Sequence, residues 1–510
     1  MENFELTDLE PKETMERGAA LPLVAMAIIL LLGMAAFATD LAWFYLNASR
    51  IQRAADASAL AGVVYVQETW PQVENAAWEV STSNGYTDQP AGPNYPQVVP
   101  AAVTGKANQV QVTITARVPT FFLKVFGINS QLITRTAVAE FVPPLKLGSP
   151  SNSFGNDPTC YSSSASCAGN FWANIHGMHT DTRMGDAYSS RCNDGAGSGN
   201  SSCAQNPQWR DTGYLYGIIP SGSSFSVQVL DPQFRNEQGG VANGDAQRTG
   251  DHNDFCSPAA SCPGPRTTFR VYAPDATPTD LSDNGPPLCS TTYDPVAQIN
   301  PDDNPPFNAA NWTGINGWLT ACTISGASSG SIYVLQVVMD GSGTGDDGLN
   351  RYSLRISPSS AELFGLGDFS LFNNATGTNT QFYLAEVPSF YQGKTFVAEL
   401  YDPGDVGTAG NIQLLQPDGT VFPSCRQYVR DDNTVGWNLR GTVTPCSFQA
   451  FNNGGSNDYN GKWVKLEADL PTSYSCSTCW WKINYVFPGD VNDTTTWRAY
   501  MIGNPIHLVP

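Results

Sequence analysis

The residues best equipped for chemistry are carboxylates in glycine-rich stretches. Asp340, Asp346, Asp347 and Asn350 crowd one segment, and Asp402, Asp405 and Asp418 occupy a later one, where Asp231 and Asp275 are their earlier counterparts. Calcium takes about six to eight oxygen ligands, and Asp/Asn loops with glycine supply them. The competing reading is that Asp and Asn are ordinary turn formers. A second cluster is His176-Gly-Met-His179. Its spacing would ligate a metal on a helix, but Gly177 and its neighbours favour a strand or loop, so these are expected to be structural histidines. Nucleophilic catalysis lacks parts: the chain has 4 His, with no G-x-S-x-G elbow, phosphate loop or dinucleotide fingerprint. The expectation is a protein that is not an enzyme and requires no cofactor, with Ca2+ the one candidate ion.

The cysteines form a third group. There are 12, all beyond residue 150: Cys160, Cys167, Cys192, Cys203, Cys256, Cys262, Cys289, Cys322, Cys425, Cys446, Cys476 and Cys479. An even count spread through loop-rich sequence indicates disulfides formed outside the cytosol. Zinc would need clustered ligands, and Cys476-Ser-Thr-Cys479 has neither a second such pair nor a nearby His. Pairing between neighbours is the simplest arrangement, although spacing alone does not fix connectivity. Asp340-Gly-Ser-Gly-Thr344 resembles the metal site of von Willebrand A domains, but that fold needs a helix directly afterwards. Here 346–356 returns as a strand, so a hairpin loop is expected instead.

Composition bounds the partners. The net charge is -20, with 46 acidic against 26 basic residues. Such a surface repels a phosphate backbone, which argues against nucleic acid. At 510 residues the chain exceeds one ordinary core. Only 14% of residues are charged, and Gly and Pro are frequent, which favours short strands and turns over long soluble helices.

The elements that position these residues begin with an apolar helix. Residues 19–39 carry no charge and lie between Arg17-Gly18 and Asp40. At about 1.5 Å per residue they span roughly 30 Å, enough for a bilayer core. A cleaved signal peptide would have a shorter apolar region and end at a loop. Here the helical pattern continues through alanine-rich sequence to about Ser81, so the run is expected to be an uncleaved single-pass anchor. Flanking basic residues are nearly balanced (Lys12 and Arg17 before, Arg50 and Arg53 after). The cysteines therefore decide the orientation: 1–17 cytoplasmic, and everything past 150 extracellular.

Arg17-Gly18, the apolar span, Asp40-Leu-Ala-Trp-Phe-Tyr-Leu and Gln52-Arg-Ala-Ala-Asp56-Ala-Ser-Ala-Leu-Ala61 together resemble the N-terminal module of TadG-like proteins of the Tad (Flp) pilus system. Asn84-Gly85-Tyr86 and the strand-like 109–140, with Phe121-Phe122 and Gly127, fit the same pattern. The resemblance implies a pseudopilin-like helix packed on a small strand unit over 18–145. It also implies pilin-like or pilus-assembly partners that meet Gly18, Leu23, Asp40, Gln52, Ala55, Asp56 and Ala59. Type IV-like prepilins usually carry Glu five residues after the cleaved Gly; here that position is Leu23. The departure favours a permanent anchor over a polymerising subunit.

The outer part contains a duplication. Phe225-Ser-Val-Gln-Val-Leu-Asp-Pro232 matches Phe396-Val-Ala-Glu-Leu-Tyr-Asp-Pro403, and 268–277 matches 411–420. A cysteine, a Gly-Trp (Gly317-Trp318 or Gly436-Trp437) and a second cysteine follow in both copies, then a strand at 332–338 or 463–468. The alternation of apolar and polar residues is that of half-buried strands. The expected fold class is α+β: a long transmembrane, pilin-like helix with a small sheet, then two related, mainly β, jelly-roll-like sandwiches at 150–357 and 358–510. The matched cysteines predict Cys289–Cys322 and Cys425–Cys446 as equivalent bridges.

The expected function is a non-enzymatic Tad/Flp pilus assembly or minor pilin-like component, membrane-anchored, with adhesive or scaffolding β domains at the cell surface. Two rivals are a membrane-anchored protein that binds surface glycans and a filament-forming pilin with a large decoration.

Overall fold

The computed structural model describes residues 20–509 apart from 67–69, 90–93, 105, 143, 156–170, 178–210, 231–234, 237–265, 276, 294–295, 298–316, 340–348, 376–378, 404–407, 432–433, 451, 454–455, 458, 460, 490 and 504–505. The chain forms two compact units, 1–143 with 504–510, and 144–503. The long N-terminal helix and the predominance of antiparallel strands give the expected α+β class.

In the first unit, helix α1 runs Ala20–Val63 without interruption, about 66 Å at 1.5 Å per residue. It changes character at Asp40. The preceding residues 21–39 are almost all exposed apolar side chains, whereas Ala48, Ile51, Ala54, Ala55, Ala59 and Val63 are buried. The chain reverses into α2, Trp70–Ser83, which contributes Val73 and Ala77 to the same core. Gly62 lets the two helices touch: a Cβ there would stand 3.2 Å from the Val73 carbonyl oxygen. Strands β1 (Gln97–Val103), β2 (Lys106–Pro119) and β3 (Ser130–Phe141) form an antiparallel sheet, closed by the C-terminal strand Ile506–Val509 beside β3. Val110, Val112, Ile114, Ala116 and Val118 alternate along β2 and meet the alanine face of α1. Small residues bring helix and sheet close enough for these short side chains to fill the gap.

The second unit is two layers of sheet built from the duplicated sequence. The first copy supplies β4 (Phe171–His176), β5 (Tyr214–Ile219), β6 (Ser224–Leu230), β7 (Thr267–Tyr272), β8 (Tyr333–Met339) and β9 (Leu349–Ser357). The second supplies β10 (Asp368–Ala375), β11 (Thr380–Glu386), β12 (Thr395–Tyr401), β13 (Gly410–Leu415), β14 (Trp480–Val486) and β15 (Val491–Met501). Each copy repeats one pairing scheme. β9 lies between β4 and β6 as β15 lies between β10 and β12, and β8 joins β5 to β7 as β14 joins β11 to β13.

The copies share their sheets. β4 pairs antiparallel with its own counterpart β10, placing Ala173 opposite Leu371 and Phe171 opposite Asn373, within one 11-stranded sheet. Equivalent strands that pair antiparallel are related by a local twofold, the same self-complementary logic as an isologous dimer. In the other layer Leu147 bridges Gly365, on the strand Glu362–Leu366 that pairs with β5, and Ala385 on β11. Residue 358 thus falls between strands of one continuous unit, and residues 504–510 belong to the helical unit.

Two sequence expectations need correction. The strand at 332–338, now β8, corresponds to β14 rather than to 463–468. Strand Lys462–Asp469 pairs with β12 and so takes the place that Leu319–Ser325 holds beside β6. The apolar patterns of the two strands are alike because pattern reports burial, not pairing partner. Residues 340–348 lie outside the described residues, and the flanking strands β8 and β9 do not pair as a hairpin but lie in different sheets. A strand, not a helix, does follow that segment.

Candidate functional site

Of the residues singled out in the N-terminal helix, Asp40 stands at the level of α1 where the uncharged run ends. Asp40 is fully buried. Its Oδ1 accepts the backbone N–H of Phe121 at 2.7 Å, and its Oδ2 accepts those of Phe122 and Leu123 at 2.9 and 2.7 Å. These N–H groups open a short 3-10 turn, Leu123–Phe126, at the tip of the β2–β3 hairpin. A carboxylate is the natural partner for N–H groups that a turn leaves unpaired, because bonds to an ionised acceptor are stronger than neutral ones. Gly127 ends the turn at φ 81, returning its N–H to the Lys124 carbonyl at 2.9 Å. A left-handed residue is needed there, and glycine adopts it without steric cost. Trp43, one turn beyond Asp40, packs its ring 5.2 Å from that of Phe121.

About three turns further along α1, Gln52 ties the helix to the sheet. Its Nε2 donates to Asp56 Oδ1 at 2.8 Å and to the Thr136 carbonyl at 3.2 Å. The Gln52–Asp56 spacing is the i, i+4 relation that stacks side chains on one helix face. Ala55 and Ala59 are fully buried against the chain's own α2 and strands. Asp40, Gln52, Ala55 and Ala59 are therefore satisfied within the unit. Leu23 is 64% exposed, surrounded by equally exposed apolar residues. Gly18 lies outside the described residues.

The acidic loops give no comparable assembly. Asp340, Asp346, Asp347 and Asp405 lie outside the described residues, as do Asp231 and His179. Asn350 is buried on β9, donating to Thr267 Oγ1 at 2.6 Å. Asp402 is buried in the left-handed region at φ 55, and its Oδ1 accepts the Gly461 N–H at 2.7 Å; Asp tolerates that conformation better than most residues. Asp275 and Asp418 each accept the N–H two residues on, Thr277 and Thr420, the ordinary Asx turn. His176 is buried beside the Gly177 carbonyl. Among the described residues no three His, Cys, Asp or Glu gather as metal ligands would.

Cys289–Cys322 and Cys425–Cys446 are bridged as expected, and so is Cys476–Cys479. The first two staple one sheet layer to the other, but in opposite chain order. Cys289 pairs beside β7 and Cys322 beside β6, whereas Cys446 precedes the strand beside β13 and Cys425 lies in the large sheet. Cys160, Cys167, Cys192, Cys203, Cys256 and Cys262 lie outside the described residues.

The repeated Gly-Trp has a shared role. Arg355 covers Trp318 at 4.4 Å, and Arg430 and Lys465 cover Trp437 at 4.8 and 5.0 Å. Both rings carry cations on the sheet surface. Cations thus already stack on rings that a surface sugar would use, and nothing in their geometry favours a glycan partner.

Residues 18–66 match the family described as "Putative Flp pilus-assembly TadE/G-like". The matched stretch contains the apolar run, Asp40 and the Gln52–Asp56 pair, so the N-terminal module is TadE/G-like. No curated protein matches the chain.

Proposed function

We propose that this chain is a non-enzymatic, single-pass component of a Tad/Flp-type pilus assembly apparatus, with residues 1–17 cytoplasmic and residues 144–503 displayed outside the cell. The observation that carries this reading is the coincidence of the family match at 18–66 with the helix and its Asp40 seat. Three further features support it. α1 is long and apolar enough to cross a membrane, and its apolar window is wholly unburied. The disulfides among the described residues fit an oxidising compartment. The motif alanines are consumed by the chain's own sheet, which leaves α1 a stem with a fixed cap rather than a bare polymerising helix.

In this reading the double sandwich acts as a scaffold or adhesive head. Its continuous sheet makes it one stiff body instead of two tethered beads. Deleting the gene should abolish or reduce surface pili and attachment, scored by electron microscopy and an adhesion assay. Normal pili and normal attachment in the deletion strain would overturn the proposal.

A further inference from the structure

We infer that the loop at residues 121–128 is a second membrane contact, docking into the outer interface of the bilayer that α1 crosses. The inference rests on the reading that α1 spans a membrane. Four observations carry it.

The loop is fixed at the right height. Asp40 is the first charged residue after the uncharged run 19–39, and its carboxylate holds the N–H groups of Phe121, Phe122 and Leu123. The loop therefore sits where the helix emerges.

Its surface is apolar. Phe121 is 52% exposed, Phe122 47%, Val125 84%, Phe126 79% and Ile128 45%. Five large apolar side chains in eight positions form a patch of the kind that marks a contact surface. At the opposite end of β2, in the turn from β1, Val103, Thr104 and Lys106 form no such patch among the described residues. That turn lies about 45 Å away, at about 3.3 Å per residue along β2.

Its backbone is prepared for a dry environment. Six of the eight amides in 121–128 have internal acceptors: Phe121, Phe122 and Leu123 donate to Asp40, Val125 to the Phe122 carbonyl, Gly127 to the Lys124 carbonyl and Ile128 to the Leu123 carbonyl. Unpaired N–H groups are what normally keep loops out of lipid.

Its polar fringe suits an interface. Trp43, Phe44 and Tyr45 follow Asp40 on α1, and aromatic residues concentrate where a helix leaves the bilayer. Lys124 is exposed within the patch, with a stem long enough to carry its ammonium to lipid phosphates. A protein neighbour would also cover an apolar loop. Its height at the end of the uncharged run, its satisfied amides and its lysine favour lipid.

The test uses the full-length oxidised chain in nanodiscs of phosphatidylethanolamine and phosphatidylglycerol, one copy per disc. An environment-sensitive fluorophore is attached to a single added cysteine in Val125→Cys, Phe126→Cys, Ile29→Cys or Thr104→Cys. Nitroxide lipids labelled near the headgroup should quench the 125 and 126 probes at least twofold more than the 104 probe. Nitroxides deep in the acyl chain should quench the probe at 29. Probes at 125 and 126 that respond only to aqueous iodide, with 29 still quenched by lipid, would overturn the loop proposal and leave the anchor standing. An unquenched probe at 29 would remove the anchor and the loop proposal together. Protection of 125 that appears only when two copies share a disc would assign the patch to a second chain and contradict a lipid contact.

Discussion

Leu21, Leu30, Phe37, Val125 and Phe126 of the first unit stand exposed, while Trp172, Trp463, Trp481 and Trp497 of the second are buried. The exposed large apolar residues of the second unit, such as Leu288, Val435 and Leu439, are scattered, which is normal for a surface in water. Most of those of the first unit lie along α1 and at one loop. In the proposed reading one chain serves two solvents, and the exposed apolar run ends at Asp40. Buried carboxylates normally carry a cost, but this one is offset by three N–H groups that would otherwise be unpaired.

The contrast can be broken at several points. The largest effect is expected in the water-facing unit. Trp481 is fully buried, packs against Phe396 and Phe422, and donates its indole N–H to Tyr474 at 2.9 Å. Trp481→Ala should cost about 3–5 kcal/mol, read from the denaturant midpoint of the full chain, without changing membrane fractionation. The mirror-image change is Leu30→Arg in the exposed apolar run. A central arginine costs about 2.5–3.5 kcal/mol on insertion scales, so the carbonate-resistant fraction should fall sharply. Val435→Arg, at a site 95% exposed in the second unit, should leave both readouts unchanged.

A subtler change is Asp40→Asn, which keeps the shape but leaves one acceptor oxygen and no charge for three donors. Hydrogen exchange should quicken at Phe121, Phe122 and Leu123 while Val112 and Ile114 in β2 stay protected; equal exchange at all five would deny Asp40 its seat. The smallest effect is at Arg426, which bonds Asp469 and Glu467 across neighbouring strands. The guanidinium and the Thr395 hydroxyl hold the Asp469 carboxyl below its ordinary range. A depressed folded value means that the contribution is present above the unfolded value near 4 and is lost as the pH falls through the lower folded value. Because Asp469 is largely exposed, the loss should stay below about 1 kcal/mol. Asp469→Asn should flatten that part of the stability profile.

Local pattern made several parts of this molecule legible. The uncharged run gave the helix, alternation gave the strands, and matched cysteines gave two bridges. What pattern could not supply was partnership. Asp40 and Phe121 stand 81 positions apart, and neither residue type reveals that a turn's amides will close on that carboxylate. The same blindness explains the misassigned strand, since Trp463 and Tyr333 both head apolar strands but pair in different layers. Strict alternation also failed on β12, where Val397, Glu399 and Tyr401 are buried alongside Phe396, Ala398 and Leu400. Tyr500 donates to Glu399 at 2.8 Å, which lets a carboxylate lie under cover on the sheet's outer face. Pairing of β4 with β10 across the duplication was equally unreadable, because register depends on the whole fold.

The central claim is that α1 holds the chain in a membrane with the disulfide-bonded unit outside. Its most direct measurement is protease accessibility in intact cells expressing the full chain with an epitope tag before residue 1, followed by carbonate extraction. The account predicts that external protease removes residues beyond 144 while the tag survives on a fragment that stays in the membrane pellet. A tag lost to external protease, a chain protected from it throughout, or a protein released by carbonate would contradict it.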